Sequence, residues 1–294
     1  MKHLPGDLSI HLPYRPPFAA EALLSFLSAR AVPGVEAVRD GTYRRGVQAA
    51  GESPAVISMT PDLASDRVTL DISVDRMLDR AALVHGARRA FDLDANPEAI
   101  DAILARDTTL APVVHRTPGM RVPGTFDPFE LLVRAIFGQQ VSVAGARTSL
   151  GRFAARFGTP LDPPNGDVHY LFPGPERVAQ ISPEELEMPR GRAEALRRVG
   201  ELVASGELDL SGGSRLDETL HILGEVRGVG PWTLAYVAMR ALRDPDAFMA
   251  TDLGVRRGSE MLGLPSTSRE LLERAERWRP WRAYAVMHLW YSQA

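Results

Sequence analysis

The 294-residue chain has no cysteine and a single lysine, Lys2; the other 33 of its 34 basic side chains are arginines. Without cysteine there is no disulfide framework, thiol nucleophile, iron–sulfur cluster or cysteine zinc site. Without an internal lysine there is no Schiff base to a sugar or to pyridoxal phosphate, and no phosphate-loop lysine. The seven histidines never stand three or four apart, so no helix carries a paired-histidine metal site. Long apolar runs are missing too: nothing uncharged approaches the ~18–20 residues that cross a bilayer. The short run Leu23 to Leu27 follows Glu21 and Pro13, Pro16 and Pro17, which is not the build of a signal peptide. These absences predict a cytoplasmic protein of bacterial type with no membrane partner.

What the chain does have is core material, 45% apolar against 24% charged residues, enough for two or three domains. The net charge is −3, with 12 basic and 15 acidic groups in residues 1–112 and 22 of each in residues 113–294. Any phosphate-binding surface must therefore be local, built from arginines and backbone amides rather than from a basic tail. Residues 1–96 alternate between strand and helix signals. Strand-like runs at 8–12, 35–38, 42–48, 55–60 and 67–74 and helical segments at 18–30 and 75–91 predict a small α+β domain with an antiparallel sheet. From Pro97 onward strand signals nearly vanish. Asp127-Pro128-Phe129-Glu130 reads as a helix start, with Asp as cap, Pro at the first helical position and Glu three residues after the cap. Further helices are predicted at 141–157, 192–205, 215–225, 231–243, 252–262, 268–278 and 280–293, so the chain is α+β and mostly helical.

The most informative stretch is Leu220 to Thr233, where one helix ends, the chain turns through Gly228 and Gly230, and Pro231 opens the next helix. Two glycines there permit positive φ and close approach of another backbone. Free amides at a helix N-terminus form an anion site suited to phosphate. An ordinary turn between two helices, with the glycines serving only as caps, accounts for the same pattern. A dinucleotide fold does not: Thr233 stands where a third glycine is needed, and no strand precedes the turn.

Val226-Arg227-Gly228-Val229-Gly230 resembles the hairpin of the helix-hairpin-helix DNA glycosylases. The stretches 127–142 (DPFELLVRAIFGQQVS), 231–257 (PWTLAYVAMRALRDPDAFMATDLGVRR) and 276–291 (ERWRPWRAYAVMHLWY) are similar to the alkylation-repair branch of that family, 3-methyladenine DNA glycosylase II (AlkA), and 26–31 (FLSARA) resembles its extra N-terminal domain. The resemblance implies three lobes: the α+β domain at 1–96, a helical domain at 127–243 ending in the hairpin at about 215–243, and a second helical domain at 97–126 and 244–294, with a cleft between the helical pair. It also implies that Arg227, Gly228, Val229 and Gly230 hold a DNA phosphate. The carbonyls of Gly224, Val226 and Gly228 would seat a monovalent cation, Na+ or K+; no other cofactor is implied. Arg227 departs from the family, which usually has proline there.

Breaking an N-glycosidic bond develops positive charge on the sugar and calls for a carboxylate near C1′. Asp252 opens a predicted helix, and on the residues alone Thr251 or Asp252 is better read as its cap; the resemblance reverses that and makes Asp252 the catalytic aspartate. A flipped base needs flat walls. Trp232 and Tyr236 lie four apart on one helix, and the resemblance adds Phe26, Trp290 and Tyr291, an electron-rich set suited to a cationic alkylpurine. Gln139 and Gln140 match the wedge that fills the vacated stack, Gln140 standing where leucine can occur.

Family members that also cut the strand use a lysine just past the hairpin; here that position is Trp232. The expected activity is therefore that of a monofunctional glycosylase acting on alkylated bases in double-stranded DNA, and the resemblance implies a monomer. The alternatives are a helix-hairpin-helix protein that binds distorted DNA without catalysis, and a glycosylase/lyase for oxidised bases.

Overall fold

A computed structural model of the chain describes residues 8–48, 54–73, 80–210 and 215–293. Five strands form one antiparallel sheet: β1 (Leu8–Pro13), then, after helix α1 (Ala20–Arg30), β2 (Glu36–Arg39), β3 (Thr42–Gln48), β4 (Pro54–Asp62) and β5 (Arg67–Ser73). Their order is β1-β5-β4-β3-β2, so the first strand closes the meander at its far edge. Alternation sets the faces: Val68, Leu70 and Ile72 of β5 are fully buried while Arg67, Thr69, Asp71 and Ser73 are not. This is the α+β domain read from the sequence.

Helices α2 (Arg80–Ala90), α3 (Pro97–Leu104), α4 (Ala111–Arg116), α5 (Pro128–Gly138) and α6 (Val143–Phe157) follow. Then comes an unexpected hairpin of two strands, β6 (Thr159–Asn165) and β7 (Val168–Leu171). Pro160, Pro163 and Pro164 argue against a strand in the sequence. They are tolerated because a two-stranded ribbon leaves one edge of β6 unpaired, where a missing N–H costs little. Leu161, Val168 and Leu171 seat the ribbon against Val56 of β4. The rest is helical: α7 (Pro175–Ala179), α8 (Arg190–Ala204), α9 (Leu216–Gly224), α10 (Pro231–Arg240), α11 (Leu253–Met261), α12 (Ser268–Ala275) and α13 (Arg282–Tyr291). α12 ends at Ala275 and a 3-10 turn covers Glu276–Trp278, so the helix expected over 268–278 is shorter. No helix among the described residues is long and apolar enough to cross a membrane.

Two large cores hold these layers. One runs from the sheet and α1 through α3 and α4 to α11–α13, with Trp278, Phe91 and Leu23 among its most buried side chains. The N-terminal domain and the last helices thus share a single apolar interior. The other fills the space between α5, α6, α8, α9 and α10. α11 and α13 approach closely through glycine: a Cβ on Gly258 would stand 1.9 Å from the Leu289 carbonyl oxygen, and one on Gly254 would stand 3.0 Å from the Trp290 ring. The two glycines are one turn apart on the face of α11 that meets α13.

Asp127 caps α5 as expected, its carboxylate accepting from the Phe129 amide at 2.8 Å with Pro128 at the first helical position. Glu130 does not reach back to complete a capping box. It is 1% exposed and accepts from Arg45 of β3 at 2.5 Å and from Arg134. Arg134 also donates to Glu36 of β2 at 2.6 Å, and Glu36 accepts from the Tyr43 hydroxyl. Two carboxylates and two guanidiniums thereby alternate between the sheet and α5, and burial outweighs the helix end as a claim on Glu130. Burial alone pushes the Glu36 carboxyl up, but Arg134 and Arg45 more than offset that and hold it at about 2. Its contribution to stability is therefore complete above the ordinary carboxylate range and is lost as pH falls toward 2. Arg45→Met should destabilise the fold by about 3–5 kcal/mol, since it strands one buried carboxylate of the pair. Urea unfolding at neutral pH measures this, and a loss below about 1 kcal/mol would show the cluster to be energetically idle.

Candidate active site

A cleft of about 1260 Å³ opens between α5, α6 and the hairpin on one side and α10, α11 and the end of α13 on the other. Asp252 sits in its lining as the N-cap of α11, in extended backbone conformation. Its Oδ1 accepts from the Val255 amide at 2.7 Å and from the Trp290 indole Nε1 at 2.9 Å. Its Oδ2 accepts from the Trp232 indole Nε1 at 2.7 Å. Capping and site residue are thus one role, because the cap bond uses only one lone pair of a group that has about four. All three partners donate, an arrangement matched to an ionised carboxylate, which only accepts.

Trp232 and Tyr236 stack at 5.3 Å between ring centroids and 14° between planes, as their spacing of four on α10 requires. Trp290 tilts against Tyr236 at 6.4 Å and 50°. These three rings line the cleft, whereas Phe26 and Tyr291 are not in its lining. Phe26 is buried behind Trp290, stacked on it at 5.7 Å and 21°. Tyr291 is partly buried against the first core. The α13 helix explains the split: residues 290 and 291 are about 100° apart around its axis, so only one of them faces Asp252.

The hairpin between α9 and α10 turns through Gly228, whose φ is +96°, and Gly230 caps α10. A Cβ at Gly228 would also press on Ala195 of α8 at 3.3 Å. The Val229 amide is not available to a ligand, because it donates to the Val226 carbonyl at 2.9 Å, and the Val229 side chain is buried. The amides of Gly228 and Gly230 carry no such bond among the described residues. Arg227 is exposed and shares a surface depression with Arg190, Arg197 and Arg198 of α8.

The two wedge candidates separate. Gln139 turns inward, its Nε2 donating to the Gly228 carbonyl at 2.8 Å and to Thr233 Oγ1 at 3.0 Å, while its own carbonyl accepts from Arg192 at 2.8 Å. Gln139 therefore braces the hairpin against the turn. Gln140 is exposed at the cleft with φ +57°, and Val141 and Val143 beside it are 44% and 46% exposed, an uncommon position for apolar side chains. Of the cation cradle, the Gly228 carbonyl is engaged by Gln139 and the Val226 carbonyl by Val229. Each carbonyl oxygen keeps a second lone pair.

Five contributors were not foreseen from the sequence. Gly254 leaves the room through which the Trp290 indole reaches Asp252. Thr233 and Arg192 fix Gln139. Arg30 and Arg240 place guanidiniums 3.8 Å and 4.9 Å from the centre of the Phe26 ring, and Arg240 donates to the Tyr236 hydroxyl at 2.5 Å. Burial pushes the Arg30 guanidinium down from its ordinary value. The signal was legible as spacing, since Arg30 follows Phe26 by four and Arg240 follows Tyr236 by four.

Residues 9–127 match the AlkA N-terminal domain, and residues 133–283 match the HhH-GPD superfamily of base excision DNA repair proteins. DNA-3-methyladenine glycosylase 2 of Escherichia coli is 36% identical over 287 residues, covering 96% of each chain. The probable bifunctional transcriptional activator/DNA repair enzyme AlkA of Mycobacterium tuberculosis is 42% identical over 285 residues. That match spans 97% of this chain but 57% of the relative, a little over half its length. Among solved structures, a 3-methyladenine DNA glycosylase from Archaeoglobus fulgidus superposes with a TM-score of 0.79 at 24% identity, over 97% of this chain and 98% of that one.

Asp252→Ala should lower stability by about 1–3 kcal/mol, because the cap is lost and two indole N–H groups are left without their acceptor. Thermal and urea unfolding measure it, and a variant as stable as the parent would show that the indoles do not depend on this carboxylate.

Proposed function

The chain belongs to the HhH-GPD superfamily of base excision DNA repair proteins, and from that membership we propose that it is a monofunctional alkylation-repair DNA glycosylase. The observation that carries this reading is one carboxylate held by two tryptophans that also wall an aromatic cleft. Such a group meets the two demands of N-glycosidic cleavage together. The rings accept a purine lifted from the duplex, and the fixed negative charge stabilises the oxocarbenium-like sugar as the base departs. A purine alkylated at N3 or N7 carries formal positive charge, so its glycosidic bond is already weakened and the aromatic faces attract it.

DNA enters as a duplex and one phosphate rests on the amides of Gly228 and Gly230, with Arg227 adding charge nearby. The carbonyls of Gly224, Val226 and Gly228 would hold a monovalent cation at the same hairpin, which would add positive charge near the phosphate. Gln140 enters the vacated stack, its amide able to bond the orphaned base and its exposed neighbours Val141 and Val143 supplying apolar surface. Water attacks C1′, the base leaves, and an abasic site remains. The protein acts as a monomer, and no lyase step follows, since Trp232 occupies the position from which a lysine would attack.

Incubation with methylated duplex DNA should release 3-methyladenine, and Asp252→Asn should slow that release by roughly 100-fold or more. Full activity in the variant would remove Asp252 from the chemistry. Borohydride added during turnover should trap no protein–DNA adduct, because no internal amine forms an imine; a covalent adduct would replace the monofunctional reading with a lyase.

A further inference from the structure

A second cavity, of about 500 Å³, lies behind the aromatic cleft, and no residue lines both. It is framed by α2, the loop that follows it, the end of α10 and the start of α13. Gly124 is the partition. It lines this cavity, while its carbonyl and that of Pro123 accept from Arg240, which donates to Tyr236 in the cleft. Base excision as described above makes no use of this space.

Two guanidiniums share the cavity. Arg89 of α2 gives its Nη2 to the Ala241 carbonyl at 2.7 Å, and its Nε is buried without an acceptor. Arg243, just past α10, makes no side-chain hydrogen bond among the described residues, and its Nη2 stands 3.5 Å from Asp92 Oδ1. Its backbone is held at φ +61°, uncommon for a residue with a Cβ and a mark of positions kept for a ligand or a reaction. Burial and the nearby charge of Arg243 both push the Arg89 guanidinium down from its ordinary value. The carboxylates around the cavity are engaged elsewhere. Asp92 Oδ2 accepts from the Tyr284 hydroxyl at 2.8 Å and the Val122 amide at 3.2 Å. Asp94 is held by Arg88 at 2.9 Å, and Asp244 accepts from the Asp246 amide at 2.9 Å. None of them forms an ion pair with Arg89 among the described residues.

A guanidinium has five N–H donors, and one left short of acceptors in a half-buried place is costly. Two such groups at one cavity repel each other, and an anion between them would remove both costs. A carboxylate offsets one charge, whereas a phosphate dianion offsets both and presents an oxygen to each fork. We propose that this cavity is a second binding site, separate from the base cleft and the hairpin, which takes a phosphate group between Arg89 and Arg243.

Calorimetric titration of inorganic phosphate into the protein, with ionic strength matched by chloride, should show saturable binding. Arg89→Leu and Arg243→Gln should each weaken it about tenfold or more, as loss of a charged hydrogen bond requires. Should Arg89→Leu fail to fold, as read by circular dichroism, the half-exposed Arg243 still carries the test. No saturable binding by the parent overturns the proposal. So does binding that Arg243→Gln leaves unchanged, which would belong to the hairpin amides, and so does weakening by only one of two folded variants. An undamaged DNA duplex separates the sources of the phosphate. If Arg243→Gln also binds the duplex about tenfold less tightly, the cavity takes a backbone phosphate; if duplex binding is unchanged while phosphate binding is lost, it takes a free small molecule. Either result supports the site. Base release plays no part in these readings, so their failure would leave the glycosylase proposal standing.

Discussion

Everything in the site depends on holding one carboxylate in place by donors from three separate segments. Asp252 receives a backbone amide from α11, an indole from α10 and an indole from α13. A carboxylate at the head of a helix would normally be satisfied by that helix and by water. Here two indole N–H groups take up acceptor positions on both oxygens, so the carboxylate is held from three directions. The same bonds orient the rings, and the walls of the pocket and the charged group cannot shift independently. Gly254 and Gly258 make the arrangement possible by letting α13 lie against α11 at a separation no other residue allows.

The N-terminal domain takes part in the site rather than decorating it. Its sheet shares a core with the last helices, and α1 delivers Phe26 behind Trp290 and Arg30 to the cleft. The buried cluster of Glu36, Arg45, Glu130 and Arg134 ties the same domain to α5, whose C-terminal end leads into the Gln139–Gln140 turn. A continuous set of contacts thus runs from the sheet through α5 to the Gln139–Gln140 turn and the hairpin, since Gln139 donates to the Gly228 carbonyl. The two glutamines show a division of labour: adjacent in sequence, one is consumed in positioning and the other left at the opening.

Much of this was legible in the residues. Strand alternation in β5, the Asp127-Pro128 helix start and the glycine turn before Pro231 each follow from local rules of backbone and cap. The β6–β7 ribbon was not legible, because its prolines oppose a strand locally and only its seat on Val56 favours one. Glu130 misled for a related reason: spacing made it a capping partner, while Arg45 from the distant β3 and Arg134 one turn along α5 claimed it.

The sequence by itself determined which chemistry is open to this protein. With Trp232 at the post-hairpin position and a single lysine at residue 2, no internal lysine is available for an imine, and Asp252 stands at a helix start, where both a cap and a charge facing the sugar are readings of the same residue. Only the tertiary structure decided which aromatic rings face the cleft, and that the face of Phe26 is already occupied by guanidiniums from α1 and α10. The physical reason is that spacing along a helix fixes which residues share a face, but not which neighbour that face meets. The charge a base encounters is set by the helices that converge on it, and those are distant in sequence.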